Sequence, residues 1–187
     1  MADEKWQKEY AQCLTACIEE YKSLWEMNFR EGIDLCESPI ERAMLAEFVF
    51  CGFGYWSIPV WIGRPDTARP SQIPHNHNSM IVPQFKIGNY KADFAVLVEN
   101  FSGEVLKMAI ECDGHDFHEK TKEQVKHDKK RDRYFVRAGW AVFRFTGSEI
   151  FNQSEDCAEE IESHGVEWIE SNLIKRGILR RPKKNDG

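Results

Sequence analysis

Three acids, two histidines and a glycine crowd into Glu111-Cys112-Asp113-Gly114-His115-Asp116-Phe117-His118, directly behind the mostly apolar run Val105–Ile110. Upstream, in Tyr90-Lys91-Ala92-Asp93-Phe94-Ala95-Val96-Leu97-Val98, a single aspartate breaks an otherwise strand-like pattern. An ionised carboxylate with apolar neighbours and no partner costs several kcal/mol in desolvation. Two such carboxylates on successive strands escape that cost by sharing a divalent cation. Strand alternation puts Glu111 and Asp113 on one side and Cys112 on the other, and Asp93 can face the same side from the next strand. Asp93, Glu111 and the main-chain carbonyl of Cys112 would then offer hard oxygen ligands suited to Mg²⁺ or Mn²⁺. Such an ion lowers the pKa of its water and neutralises charge on a phosphoryl group. His118, just past the strand end, could accept the proton, since an unperturbed imidazole titrates near neutrality.

Plainer readings stand beside this one. Asp93 could be an edge residue paired with Lys86 or Lys91, and Glu111 and Asp113 could line a solvated face. Asp113-Gly114 is also a common turn dipeptide, and His115 reads as a surface residue. The segment after these acids bears separately on the question. On a helical wheel Lys122, Lys126, Lys129, Lys130, Arg133 and Arg137 share one sector, opposite Val125, Asp128, Asp132, Phe135 and Val136. A nucleic-acid phosphate backbone would relieve the mutual repulsion of that stripe; an ordinary solvated lysine-rich face would do so with water alone.

The elements that must position these groups follow from periodicity. Apolar residues from Trp6 to Phe29 step at helical spacing and predict a long amphipathic helix ended near Gly32, with Cys13 and Cys17 one turn apart on its apolar side. Ser38-Pro39-Ile40-Glu41 is a helix start, with Ser38 as N-cap, Pro39 in the first turn and Glu41 closing a capping box. That helix should run through Met44, Leu45 and Phe48 towards Gly52. Trp56–Ile62 looks extended, and 63–79, with Pro65, Pro70 and Pro74, looks like a loop. Strands are expected at Met80–Ile87, Tyr90–Val98 and Val105–Cys112, joined by turns at Gly88-Asn89 and Asn100–Gly103. A helix over Lys120–Ala138 closed by Gly139, a strand at Trp140–Phe145 and a helix over Ser148–Leu173, broken near Ser163-His164-Gly165, complete the order. The result is an α/β domain with a small mixed sheet.

Composition narrows the class. Six Trp and twelve Phe in 187 residues supply a real core. No run reaches the ~20 apolar residues of a membrane span, and the N-terminus lacks a secretion-signal layout, so a cytoplasmic protein without a membrane partner is expected. The six cysteines form no CxxC pair, which fits free thiols. His75 and His77 lack partners at zinc-ligand spacing. A net charge of −6 argues against an indiscriminate nucleic-acid coat, but the charge is uneven. Glu149–Glu170 carries eight acids and no lysine or arginine, whereas cations gather at Lys120–Arg137 and Lys175–Lys184.

Taken in order, Ser38-Pro39-Ile40-Glu41, Pro83-Gln84, Tyr90-Lys91-Ala92-Asp93-Phe94, Glu111-Cys112-Asp113-Gly114 with His118, Asp128 with Arg131-Asp132, and Gly139-Trp140 leading to Arg144-Phe145 resemble the PD-(D/E)XK nuclease superfamily. The resemblance spans about Ser38 to Phe151 and is nearest to very-short-patch repair endonucleases and restriction-endonuclease-like bacterial proteins. It implies a restriction-endonuclease-like core, αβββαβ, with a four-stranded mixed sheet flanked by helices, plus the N-terminal helix. By position it puts the acid pair on Asp93 and Glu111, the helix glutamate on Glu41, a metal-facing carbonyl on Cys112 and a histidine base on His118. One departure is plain: Asp113 stands where the motif lysine is usual, and Lys120 or Lys122 would have to reach in from the following helix to replace it.

The expectation is a metal-dependent endonuclease hydrolysing DNA by a metal-activated water. Glu41, Asp93, Glu111, Asp113, His118 and Lys122 are its candidate catalytic residues, and Asp93, Glu111 and Cys112 hold Mg²⁺ or Mn²⁺. The Lys122–Arg137 stripe contacts DNA. The alternative is a non-catalytic nucleic-acid- or protein-binding module on a degenerate nuclease scaffold; RNA as substrate and a homo-oligomer both stay open. Residues 1–32 are expected as a helix packed on the core, 33–177 as the nuclease-like domain and 178–187 as a basic, mobile tail.

Overall fold

The computed structural model describes residues 15, 19, 22–23, 25–50, 61–70, 73–74, 78–114 and 121–179. Helical backbone covers 25–35 (α1) and Pro39–Phe50 (α2). Strands Trp61–Ile62 (β1), Ser79–Ile87 (β2), Tyr90–Glu99 (β3) and Val105–Asp113 (β4) follow. Helix Lys122–Arg137 (α3), strand Ala141–Thr146 (β5) and helix Gly147–Lys175 (α4) close the described chain.

The sheet has five strands rather than the four expected, in the order β1-β2-β3-β4-β5. β2, β3 and β4 form an antiparallel meander, and the outer strands β1 and β5 run parallel to their neighbours. The extra strand has only two residues, too few for a period-2 pattern. Its free edge is occupied by a side chain: Asn28 donates Nδ2 to the Ile62 carbonyl at 2.7 Å and accepts the Ile62 N–H on Oδ1 at 3.0 Å. Gly32 does not end α1, which stays helical to residue 35. A Cβ there would meet Ile62 Cγ2 at 2.8 Å, so glycine lets the helix lie against β1.

β3 and β4 are apolar almost throughout because both faces of the sheet are covered. On one face Phe94, Val96, Val98, Met108 and Ile110 pack with Met44, Leu45 and Phe48 of α2 and Ile150, Ala158 and Ile161 of α4. On the other, Ala95, Leu97 and Ala109 pack with Phe135 of α3 and with Trp140. Phe48 meets Phe94 edge-on at 5.7 Å, an arrangement worth about 0.5–1.5 kcal/mol beyond area burial, and so fixes α2 beside residue 93.

The helix ends follow capping chemistry. Thr121 and Thr146 each form a complete capping box, with Gln124 and Glu149 respectively, so α3 starts two residues later than expected. Gly139, at φ +77°, follows the end of α3. α4 is interrupted at Gln153 (φ −147°, ψ 43°) rather than near Gly165, which is buried at contact distance from Val98. Most of the Trp6–Phe29 helix, the 51–60 segment and residues 180–187 lie outside the described residues. Within the described part, Trp25, Phe29 and Ile33 pack on the core. Among the described residues no helix is long and apolar enough to cross a membrane.

Candidate acid site where β3 and β4 part

The pleat breaks at one place. Val82 and Phe85 lie three apart yet pack into the same cluster, and so do Ala92 and Ala95. Residues three apart on a regular strand face opposite ways. Between them the β2–β3 pairing steps from Pro83–Phe94 to Phe85–Ala92, passing over Gln84 and Asp93. Gln84 has φ +54°, the left-handed region that non-glycine residues seldom occupy, and this turns both strands over. The β3–β4 ladder ends at Phe94–Ile110, so Asp93 and Glu111 are the first residues opposite each other beyond it. There the Asp93 carboxylate takes the place of a main-chain partner: Oδ2 accepts the Cys112 N–H at 2.6 Å. The expected alternative of a surface pair with Lys91 does not form, because Lys91 Nζ bonds Glu37 Oε1 at 2.6 Å.

Glu41 enters from α2, 5% exposed. Ser38 Oγ accepts the Glu41 N–H at 3.3 Å, one half of the expected capping box, but Glu41 Oε1 accepts from the Ser38 hydroxyl at 2.7 Å in place of the Ser38 N–H. The other oxygen also departs from the simple cap. Oε2 accepts the N–H of Glu37 at 2.9 Å and Gln84 Nε2 at 2.7 Å. Capping and the acid site therefore use the same carboxylate, and the strained Gln84 is what joins them.

Two arginines meet the acids of β4. Glu111, only 2% exposed, forms an ion pair through Oε2 with Arg131 Nη2 at 2.6 Å, and Arg131 lies 3.7 Å from Asp128 on its own helix. Arg144 of β5 holds both oxygens of Asp113 at 2.9 Å and gives its other nitrogen to Asp132 at 2.7 Å. Neither arginine was among the candidate site residues. Both stand in the pieces that resemble the nuclease superfamily, and Arg131 falls on the face of α3 that carries Asp128, Asp132 and the buried Phe135; those were the available signals.

Burial dominates the ionisation of the acid pair. It raises Asp93 to about 6, against the lowering effect of the Cys112 N–H, and the Glu41 charge raises it further. It raises Glu111 to about 8; Arg131 offsets part of this and the Asp93 charge adds to it. The Cys112 thiol is pushed far up by burial and then by Asp93, Glu41 and Glu111, so only its main chain is polar at neutral pH. Among the described residues no three or more His, Cys, Asp or Glu side chains are gathered as a metal cluster. Glu111 and Asp113 are instead turned onto arginines. The donor set nonetheless suits a hard cation: Glu111 Oε1 and Gln84 Oε1 are buried acceptors with no hydrogen-bond partner. A divalent ion would add positive charge beside the partly buried Asp93 and beside Glu111, which Arg131 already meets on its other oxygen.

His118, with His115 and Lys120, lies outside the described residues. Lys122 is exposed at the start of α3, with no hydrogen bond or ion pair among the described residues. The other stripe residues, Lys126, Lys129, Lys130, Arg133 and Arg137, are exposed as expected. At about 100° per residue the stripe centres roughly opposite Arg131 and Phe135. It therefore points away from Glu111 rather than over it.

A restriction-endonuclease-like family model, REase_MTES_1575, matches residues 73–164. The relationship of this region is restriction-endonuclease-like. The match runs from the segment before β2 into α4, and so takes in Asp93, Glu111, Asp113, Arg131 and Arg144 while leaving Glu41 outside. No curated protein and no solved structure matches the chain.

Proposed function

We propose that this chain is a nuclease that hydrolyses DNA phosphodiester bonds with a divalent cation, in the manner of very-short-patch repair endonucleases. One observation carries the reading: Asp93 and Glu111 are the first opposed positions beyond the last β3–β4 pair, Asp93 partly buried and Glu111 buried with one oxygen unpartnered. Asp93, Glu111 and the Cys112 carbonyl would hold Mg²⁺ or Mn²⁺. Such an ion would neutralise charge on the phosphoryl oxygens and lower the pKa of the attacking water.

The chain's own groups do the rest. Cys112 N–H fixes the Asp93 carboxylate through Oδ2. Gln84 and Ser38 hold Glu41 still beside them. His118 would take the proton, a role that imidazole commonly fills. Asp113, at the usual lysine position, is a positioning residue that keeps Arg144 between β4 and α3. The basic stripe of α3 binds flanking phosphates. A reducing cytoplasm is the proposed setting.

The test is nicking of supercoiled plasmid by the full chain with Mg²⁺ or Mn²⁺, beside Asp93→Asn and Glu111→Gln. The wild-type chain should cleave and both variants should lose at least about a hundredfold, a loss of the size seen when a charge-stabilising group is removed. Variants as active as wild type would overturn the mechanism. A specific observation also favours a second reading, a non-catalytic DNA-binding module. The Arg131–Glu111 ion pair neutralises one acid without any metal. That reading expects salt-sensitive DNA retention and no cation-dependent nicking. Competition between RNA and DNA substrates separates an RNA-directed enzyme from both.

A further inference from the structure

The Arg131–Glu111 pair is incomplete in a particular way. Arginine and carboxylate commonly meet through two parallel hydrogen bonds. Here a single nitrogen, Nη2, contacts a single oxygen, Oε2, at 2.6 Å. One further guanidinium donor, Arg131 Nε, and the other carboxylate oxygen, Glu111 Oε1, are both buried and both lack a hydrogen-bond partner. Each such orphan costs about 1–3 kcal/mol, more for charged groups. A purely structural ion pair would gain from a rotation that brought Nε and Oε1 into a hydrogen bond. One that leaves a donor and an acceptor open is arranged for two further ligands of opposite charge, a cation at Oε1 and an anionic oxygen at Nε.

We propose that Arg131 is a phosphate-binding residue held in reserve. It pairs with Glu111 while the acids are cation-free, and turns its guanidinium to a DNA phosphate once Glu111 is otherwise engaged. This rests on the nuclease reading of the site. Three observations argue it. Glu111 lies directly across from Asp93, so Arg131 already stands at the reacting end of the sheet. Its side chain is 19% exposed, enough to reach solvent from where it is. Asp128, 3.7 Å away on the same helix, gives it a second anchor when it leaves Glu111. The outward stripe of α3 cannot do this, because it faces away from the acids. Arg131 is the arginine of α3 that faces both acid and solvent.

The inference is tested without metal, by DNA affinity in EDTA at alkaline pH, where Glu111 carries its charge. Glu111→Gln keeps the side-chain volume but removes the charge that retains Arg131. It should bind duplex DNA about tenfold tighter than wild type, with a log–log salt slope steeper by about one. In the Arg131→Gln background the same change should bring no gain. Thermal unfolding of all four chains checks folding. If Arg131→Gln alone does not fold because it leaves a buried charge, the double variant, whose pair is neutral, still serves against Glu111→Gln. A gain that persists without Arg131 would reflect general charge removal and would overturn the inference. So would no gain at all. Absence of DNA binding by every chain would instead overturn the nuclease reading, and this inference with it.

Discussion

Arg144 grips Asp113 through both carboxylate oxygens, at 2.9 Å each, and reaches Asp132 with its second terminal nitrogen at 2.7 Å. One residue of β5 thereby joins β4 to the inward face of α3, and sets the height at which Arg131 meets Glu111. Burial opposes the guanidinium charge, but the two carboxylates outweigh it and push the Arg144 pKa up. The arginine stays charged throughout the accessible pH range.

Arg144→Met should therefore loosen the packing of α3 on the sheet. Two acids would be left without their shared cation in a partly buried place, and a loss of about 2–3 kcal/mol is expected, below the full-burial figure because water still reaches them. Asp113→Asn keeps an acceptor for Arg144 and should cost about 1 kcal/mol. Urea unfolding of both variants checks the order. An Asp113→Asn protein less stable than Arg144→Met would contradict this account.

The raised acids make stability depend on pH with a definite sign. Asp93 and Glu111 bind protons more tightly when folded than when unfolded, at about 6 and about 8. Between roughly pH 4 and pH 8 the unfolded chain therefore holds fewer protons, and stability falls as pH rises. The contribution is fully present below the unfolded carboxylate range and is gone once both groups ionise. In EDTA the melting temperature of wild type should drop across this window more than that of Asp93→Asn/Glu111→Gln. Added Mg²⁺ should recover most at pH 8, since the cation favours the ionised pair. Parallel pH profiles for the two proteins would remove the acid pair from the explanation.

Gln84 carries two separable burdens, a left-handed backbone and the bond to Glu41. Gln84→Gly relieves the first, worth about 1 kcal/mol, and loses the second, a charge-assisted bond of about 1.5–3 kcal/mol. Net stability should fall by no more than about 2 kcal/mol, while cleavage should fall by at least tenfold as Glu41 loses its orientation. Circular dichroism melts and plasmid nicking on one preparation give both numbers. Unchanged cleavage would make Glu41 a cap and nothing more.

These cases also show which features were readable from the chain. Asp93 and Glu111 stood out because an acid within an apolar strand is expensive, and Ser38-Pro39-Ile40-Glu41 because capping uses few residue types. The partners of those acids were hidden. Arg131 and Arg144 stand among the pieces that resemble the nuclease superfamily, but their roles as partners of Glu111 and Asp113 emerge only once Phe135 enters the core and fixes the rotation of α3. Gln84 stood in the resembling Pro83-Gln84 piece, but its left-handed backbone gave no warning, since that conformation is normally signalled by glycine or asparagine. Gly32 carried the wrong signal: its lack of a side chain serves a close approach to Ile62, not a helix end. β1 lies within the Trp56–Ile62 stretch expected to be extended, but two residues have no period to mark them as a sheet strand, and the strand's pairing is completed by Asn28 from a distant helix.

The direction of the α3 stripe yields the last expectation. Lys126, Lys129 and Arg133 are exposed on the side of the helix away from Glu111. If they bind DNA, they bind phosphates flanking the cleaved one. Replacing all three by glutamine should reduce the log–log salt slope of DNA binding by about 2–3, from roughly 0.9 for each phosphate no longer neutralised. The cleavage rate at saturating DNA should stay within about twofold of wild type, because none of the three reaches the acids. Arg131→Gln should do the converse, changing the slope by about one and lowering the saturated rate. A triple variant with a much reduced saturated rate would mean that the helix turns or the DNA wraps around it. The acids and the stripe would then act on one stretch of backbone rather than two.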